Sequence, residues 1–142
     1  MPQSKRRKQI FLTYAHSDKK AVRKLYYRLT RKHIKAWLDE MELLPGHDWK
    51  HEIHQAILRS DFVIVCLSKP FNKQGGYRHE ELKIVLEKAK SLPNDQIFLI
   101  PARLEKCDLP ETVRQWQCVD LFEADGFNKL LTALKEAGLS IG

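Results

Sequence analysis

The stretch Asp61-Phe62-Val63-Ile64-Val65-Cys66-Leu67 decides the fold, because its apolar residues follow one another without the alternation of a half-exposed strand. Continuous apolar runs of this kind are typical of a central strand in a parallel sheet, whose two faces are both covered by helices. The run is also far too short for a membrane span, which takes about 20 apolar residues. We therefore expect a buried strand at the centre of an α/β domain.

Short β-rich runs and helical spacings alternate on both sides of this strand. Four further strands are predicted, at residues 10–14, 35–39, 96–102 and 117–122, with an irregular connection at 104–114. Helices are predicted where apolar residues recur at helical spacing: Val22, Leu25 and Leu29; Ile53, Ala56 and Ile57; Leu82, Val85, Leu86 and Ala89; Phe127, Leu130, Leu131 and Leu134. Ser17 or Asp18 can cap the first helix, and Pro45-Gly46 turns the loop at residues 40–49.

This alternation predicts a flavodoxin-like three-layer fold, with a five-stranded parallel sheet, helices on both faces and right-handed crossovers. We expect a basic N-terminal arm at residues 1–8, one domain at residues 9–138 and a C-terminal tail at residues 139–142. In such a fold, the loops that follow the first three strands meet at the carboxyl edge of the sheet. Residues 14–16, 39–49 and 68–81 are therefore predicted to form one site.

Composition narrows the class of protein. A chain of 142 residues with 43% hydrophobic and 30% charged residues fits one globular domain. Three cysteines without close pairing give little support to disulfides or zinc. The histidines other than His16 lack the neighbouring carboxylates and cysteines that would form a metal site, so no metal is expected. The amino terminus lacks the apolar core of a signal peptide, and we expect a cytoplasmic location without membrane attachment.

The net charge of +7 comes partly from residues 5–8 and partly from residues 19–35. A charge of this size is compatible with nucleic acid or another acidic partner. However, a basic run before a first strand is usually a solvated arm, and the second group falls on the polar side of the predicted first helix. We therefore consider direct nucleic-acid binding unfavoured.

One further motif, Gly75-Gly76-Tyr77-Arg78-His79-Glu80-Glu81-Leu82, follows the central strand. It places Tyr77 and Glu81 four residues apart, so that both side chains lie on one face of a helix. If this helix begins behind the carboxyl end of a strand, both residues point into the crevice where parallel sheets bind ligands. A stacking ring beside a carboxylate suits a nucleotide substrate.

In this order of elements, several motifs resemble the TIR (Toll/interleukin receptor) domain family, of the bacterial type, over about residues 8 to 137. The motifs are Ile10-Phe11-Leu12-Thr13-Tyr14-Ala15-His16-Ser17-Asp18, Trp37-Leu38-Asp39 with Leu44-Pro45-Gly46-His47-Asp48-Trp49, Val63-Ile64-Val65-Cys66-Leu67-Ser68, and Gly76-Tyr77-Arg78-His79-Glu80-Glu81-Leu82. They resemble the first box, the second strand with its BB loop, the third strand, and the segment with the NAD-cleaving glutamate of enzymatic members. That glutamate corresponds to Glu81.

The resemblance implies an NAD+ glycohydrolase with Glu81 as its catalytic residue. Nicotinamide would leave through an oxocarbenium-like state, which a carboxylate stabilises, and the product would be ADP-ribose or a cyclic form of it. NAD+ would be the substrate, and no resident cofactor is expected. The residues expected to contact the substrate are Tyr14, Ala15, His16, Asp39, Leu44, Trp49 and Tyr77. His16 departs from the arginine that some active relatives carry, and Tyr77 departs from the usual tryptophan.

Four of these residues have a structural alternative. Glu81 could be an ordinary solvent-facing residue of a Lys-rich helix, and Tyr77 could serve only helix packing. Asp39 could fix the loop through local backbone hydrogen bonds instead of binding ribose. Trp49 fits a core anchor for the following helix somewhat better than a substrate contact.

A second function stays open, namely a non-catalytic interaction module that docks on other TIR domains through residues 40–49. Leu43, Leu44 and Trp49 give this loop apolar contact potential. The resemblance makes the two functions compatible, because catalytic TIR domains are switched on by self-association. We expect low activity from a monomer, a sensor region or partner outside this chain, and a role in bacterial anti-phage defence signalling. A phospho-receiver of similar topology is unfavoured, because Cys66-Leu67-Ser68 ends the third strand without an aspartate and Tyr14-Ala15-His16 offers no acidic pair for magnesium.

Overall fold

The computed structural model describes residues 7–73 and 77–141, without the side chains of Tyr77 and Arg78. In this part of the chain, five parallel strands form one sheet in the order β2-β1-β3-β4-β5. The strands are β1 (Gln9–Thr13), β2 (Lys35–Trp37), β3 (Phe62–Leu67), β4 (Leu99–Arg103) and β5 (Val119–Asp120). This is the flavodoxin-like α/β fold that the alternation of elements predicts.

Helices cover both faces of the sheet. They are α1 (Lys19–Arg31), α2 (Asp39–Glu42), α3 (Trp49–Arg59), α4 (Lys69–Lys73), α5 (Tyr77–Ser91) and α6 (Gly126–Glu136), with 3-10 turns at His16–Asp18 and Glu111–Val113. One core contains side chains of α1 and α6 with Ile10 and Leu12 of β1, and the other contains side chains of α3 and α5 with Phe11. No helix in the described ranges is long and apolar enough to cross a membrane.

The order of the strands positions a crevice. From β1 the chain passes to β2 on one side, and it then crosses to β3 on the other side of β1. The loops that leave β1 and β3 therefore separate, and such a switch point is where open α/β sheets bind their ligands, outside the carboxyl ends of the strands. Thr13, the last residue of β1, lies beside Val65 of β3 at this edge.

Three predicted strands are shorter in the structure. β2 ends at Trp37, and Asp39, predicted as its last residue, begins α2 instead. β4 begins at Leu99, although the carbonyl oxygen of Phe98 still accepts a hydrogen bond from the backbone N–H of Val63 at 2.8 Å. β5 has only two residues, and it pairs with β4 at the edge of the sheet.

Three further details correct the sequence analysis. α4 was not predicted; it buries Phe71, whose backbone N–H donates to Ser68 Oγ at 3.0 Å. Asp18 takes the N-cap position of α1 but makes no side-chain capping bond, and its carboxylate accepts a hydrogen bond from the hydroxyl of Ser68 instead. Leu139, assigned to a tail, is buried in the core under α1 and α6, so the packed part of the chain runs past residue 138.

Candidate active site

Glu81 is fully buried, with 0% of its surface exposed, and it is the only charged side chain among the buried residues of the described part. It lies in the second turn of α5, four residues before Val85, which belongs to the core under α3 and α5. Residues four apart share a helix face, so Glu81 faces the sheet. The alternative of a solvent-facing glutamate is therefore wrong.

Tyr14 and Asp39 contact each other. The Tyr14 hydroxyl donates to Asp39 Oδ1 at 2.5 Å, and the backbone N–H of Glu40 donates to the same oxygen at 2.7 Å. Asp39 thus makes the local hydrogen bond that was its structural alternative. Glu40 in turn accepts from Arg23 Nε at 2.6 Å, and this bond lowers the pKa of the Glu40 carboxyl. The start of the 40–49 loop is therefore anchored to β1 and α1.

The loop after β1 is tied to the end of β3. Ala15 is buried and His16 is exposed at the start of the first 3-10 turn. At the end of this turn, the Asp18 carboxylate accepts the hydrogen bond from Ser68. This bond joins the loop after β1 to the end of β3 at the switch point. Burial raises the pKa of the neighbouring Cys66 thiol to about 12, with a smaller contribution from the charge of Asp18. Cys66 is therefore a protonated core residue.

The predicted turn at Pro45-Gly46 is confirmed. The backbone N–H of His47 donates to the Leu44 carbonyl oxygen at 3.0 Å, and Gly46 has a φ of +92°, as the third residue of a type II turn requires. His47 Nδ1 also accepts a hydrogen bond from the Leu44 backbone N–H at 3.0 Å. The turn presents Leu44 to solvent, with 62% of its surface exposed.

Trp49 begins α3, but it does not anchor this helix in the core. Its side chain is 47% exposed, and α3 packs through Ile53, Ala56 and Ile57. The preferred interpretation of Trp49 as a core anchor is therefore wrong. Asp48 caps α3 by accepting from the backbone N–H of His51 at 3.3 Å.

The structure gathers the predicted residues only in part. Tyr14, Ala15, Asp39 and Glu81 are held in the interior or at its margin, whereas His16, Leu44 and Trp49 lie on the outside. Tyr77 is the first residue of α5, and its side chain lies outside the described part, as do residues 74–76 before it. Among the described residues, no group of three or more His, Cys, Asp or Glu side chains could hold a metal ion.

Thr13 is a residue of this edge that sequence reasoning missed. It is 0% exposed, and its Oγ1 atom has no hydrogen-bond partner within residues 7–73 and 77–141. Buried hydroxyl groups nearly always have a partner, so this atom requires an explanation. No signal in the sequence could have found it, because threonine is an ordinary strand residue.

Known proteins resemble this chain in sequence and in structure. A segment of 63 residues, 44% of the chain, is 36% identical to the "NAD(+) hydrolase TcpA" of Theionarchaea archaeon (strain DG-70-1). The segment covers 19% of that protein, so the chain spans only a small part of its length.

Two solved structures have the same fold. The TIR domain of the Toll-related receptor TRR-2 from Hydra magnipapillata superposes with a TM-score of 0.72 at 22% identity, over 89% of this chain and 97% of that one. The TIR domains of the activated Roq1 resistosome, which recognises the pathogen effector XopQ, give 0.62 at 26% identity, over 92% and 75%. The model of the TIR domain family matches residues 10–131. The chain therefore belongs to the TIR domain family.

Proposed function

We propose that this chain is an NAD+ glycohydrolase in which Glu81 is the catalytic residue. The observation that carries the proposal is the complete burial of Glu81 on the inward face of α5, near the carboxyl edge of the sheet. A glutamate is rarely buried completely, and a buried titratable group at a ligand-binding edge is a candidate for chemistry. Glu81 also makes an interaction of its own, so the proposal rests on its burial and its position. The partial identity to a protein named NAD(+) hydrolase supports the same reaction.

Cleavage of the bond between nicotinamide and ribose requires few protein groups besides this carboxylate. The bond between the ribose C1′ and the nicotinamide nitrogen breaks, and nicotinamide leaves as a neutral molecule that takes the bonding electrons. The positive charge that develops on the ribose is stabilised by the carboxylate of Glu81. Water then adds to C1′ and releases a proton, which gives ADP-ribose, or a nitrogen of the adenine ring adds instead, which gives a cyclic product.

The remaining residues are proposed to bind the substrate. Tyr77 would stack on a ring of NAD+, and Leu44 and Trp49 would supply apolar surface from the 40–49 loop. The loop of Tyr14, Ala15 and His16 lies at the start of the first 3-10 turn, next to the switch point. Asp39 would accept from a ribose hydroxyl beside the bonds from Tyr14 and Glu40, both of which go to Oδ1.

We further propose that activity requires self-association. A side chain with 0% exposure cannot touch a dissolved substrate, so the site has to open before Glu81 reaches NAD+. The apolar side chains of the 40–49 loop, Leu44 and Trp49, are 62% and 47% exposed, and they offer a surface that a second TIR domain would cover. A sensor region or partner would bring the domains together, in a defence response such as anti-phage signalling.

The test measures nicotinamide release from NAD+ by chromatography. It uses a series of protein concentrations, with and without a crowding agent. We expect release that rises more steeply than in proportion to protein concentration. Glu81→Gln should lower the rate at least 100-fold, because a group that stabilises transition-state charge is worth about two to three orders of magnitude. The matched control is Glu80→Gln, since Glu80 is the exposed neighbour on the same helix.

The outcomes separate the two candidate functions. Equal activity of the parent and a folded Glu81→Gln variant would remove Glu81 from the mechanism. Equal specific activity in dilute monomer and assembled protein would contradict the requirement for self-association. If no condition gave nicotinamide, while sedimentation still showed association that depends on the exposed loop, the chain would be an adaptor module.

A further inference from the structure

We propose that Thr13 is a positioning residue for Glu81, whose hydroxyl donates a hydrogen bond to the Glu81 carboxylate when the site is in its active conformation. This inference rests on the proposed function. Its starting observation is the buried Oγ1 atom of Thr13, which has no partner among the described residues.

The other buried polar side chains are already accounted for. The described part has five buried polar or charged side chains including Thr13 and Glu81, and the other three are Gln9, Ser60 and Ser68. Gln9 Nε2 donates to Ser60 Oγ at 2.8 Å, and the Ser68 hydroxyl donates to Asp18. Thr13 is the one whose hydroxyl lacks a partner among the described residues, whereas Glu81 makes an interaction of its own.

Thr13 and Glu81 lie on the same side of the sheet. Along β1, Ile10 and Leu12 belong to the core under α1 and α6, whereas Phe11 belongs to the core under α3 and α5. Because side chains alternate along a strand, Thr13 points the same way as Phe11. Val85 of α5 lies in this second core, and Glu81 shares its helix face.

They also lie at the same end of that core. At the opposite end, Lys88 of α5 donates to the carbonyl oxygen of Ser60 at 2.7 Å, and Ser60 contacts Gln9 at the start of β1. From Lys88 to Glu81 the helix runs back about 10 Å, and from Gln9 to Thr13 the strand runs forward about 13 Å. α5 packs directly on β1. The two stretches therefore run towards the same end of this core, which holds both Thr13 and Glu81.

The chemistry of the two groups matches. A hydroxyl can donate one hydrogen bond, and a carboxylate has about four acceptor positions, so Glu81 can accept from Thr13 beside the interaction that it already makes. Val65, the strand neighbour of Thr13, offers no acceptor in its side chain. Folding alone favours valine at position 13, because valine has the same shape and buries no hydroxyl. The hydroxyl weakens the fold, as is common for groups that serve a site.

The test compares Thr13→Val and Thr13→Ser with the parent under the conditions in which the parent releases nicotinamide. Thr13→Val should lower kcat about tenfold or more, with KM changed by less than about twofold, because a misplaced group mainly affects the chemical step. The same variant should raise Tm by about 3 °C, because the unpartnered hydroxyl is gone. Thr13→Ser keeps the hydroxyl and should keep kcat within about threefold.

Every other outcome overturns the inference. A lower Tm for Thr13→Val means that the hydroxyl has a structural partner, and an equal loss in Thr13→Ser means that the methyl group matters instead. If Thr13→Val keeps the parent's kcat while Glu81→Gln is inactive, the inference fails and the proposed function stands. If the parent never releases nicotinamide, the proposed function fails and the inference fails with it.

Discussion

At the amino end of β1, Gln9 is 3% exposed and hydrogen-bonded: its amide Nε2 donates to Ser60 Oγ at 2.8 Å, and its backbone N–H donates to Asp61 Oδ2 at 2.9 Å. At the carboxyl end of the same strand, Thr13 is 0% exposed, and its hydroxyl has no partner in the described part of the chain. Both side chains point towards α3 and α5.

The inward face of α5 repeats this difference. Lys88 lies near Gln9 and donates to three carbonyl oxygens, those of Ile57 at 3.2 Å and of Leu58 and Ser60 at 2.7 Å. Two turns earlier on the same face, Glu81 is buried near the carboxyl edge of the sheet. On this face, Gln9 and Lys88 at the amino end therefore hold the fold together, whereas Thr13 and Glu81 lie at the carboxyl end, where parallel sheets carry their chemistry.

The largest effect on stability is expected from Lys88→Met. This change removes the donor from the last carbonyl oxygens of α3, and hydrogen bonds of a charged donor are worth about 1.5 to 3 kcal/mol each. Because water can reach part of this site, we expect the free energy of unfolding to fall by about 2 kcal/mol in total, measured by urea denaturation. The rate of nicotinamide release per folded molecule should stay unchanged.

The control for this change is Lys83→Met, because Lys83 is exposed on the same helix and a single surface substitution should shift stability by less than about 0.5 kcal/mol. A large loss of activity in folded Lys88→Met protein would break the comparison. It would mean that the amino end of the core also serves the site.

A smaller effect is expected from Ser60→Ala. Ser60 Oγ accepts from Gln9 and donates to the carbonyl oxygen of Ala56 at 2.7 Å, so its removal leaves the buried amide of Gln9 unsatisfied. We expect a loss of about 1.5 kcal/mol in the free energy of unfolding, opposite in sign to the effect of Thr13→Val. Thermal unfolding of both variants would measure the contrast directly.

Ser91→Ala is the matched control, since the Ser91 hydroxyl also bonds a helix carbonyl oxygen, that of Lys88, but is exposed. In the double variant Gln9→Leu/Ser60→Ala, both partners are gone, and part of the loss should return. Additive losses would show that Gln9 and Ser60 do not act as a pair.

The sequence was sufficient for most of the fold, since the apolar run of β3 and the helical stripes follow directly from periodicity. It was insufficient where a short element has no period to display. α4 has five residues, includes Pro70 and buries only Phe71, so no stripe could reveal it. Asp39 was assigned to a strand, but the hydrogen bond from Tyr14 across the sheet edge fixes it at the start of α2.

For the site, the sequence contains one further signal, which indicates that Glu81 is buried. Glu81 lies four residues before Val85, which was part of the predicted apolar stripe, and this spacing already places the carboxylate on the inward face. The exposure of Trp49 could not be predicted in this way, because a tryptophan at the first position of a helix packs or not according to the neighbouring elements. The hydroxyl of Thr13 is unsatisfied because of the way in which β1, β3 and α5 pack together. This packing cannot be seen in the sequence.

The smallest effect is expected from Asp120→Asn, at the far edge of the sheet. Arg103 Nε and Nη2 donate to the two carboxylate oxygens of Asp120 at 2.7 and 2.8 Å, so this is a bidentate ion pair, whose geometry is favourable. However, the two side chains are 23% and 32% exposed, and water weakens the attraction. If burial decides the cost of losing a polar contact, the variant should lose at most about 1 kcal/mol.

The pH dependence of this loss has a defined sign. The hydrogen bond from Arg103 lowers the pKa of Asp120 below its ordinary value of 3.8, so the folded state favours the ionised form. The stabilisation is therefore present above the ordinary pKa and disappears as the pH falls through it towards the lowered value. Parent and Asp120→Asn should differ in free energy of unfolding at pH 7 and converge in acid. A loss above 2 kcal/mol at pH 7 would contradict this, because geometry would then outweigh burial.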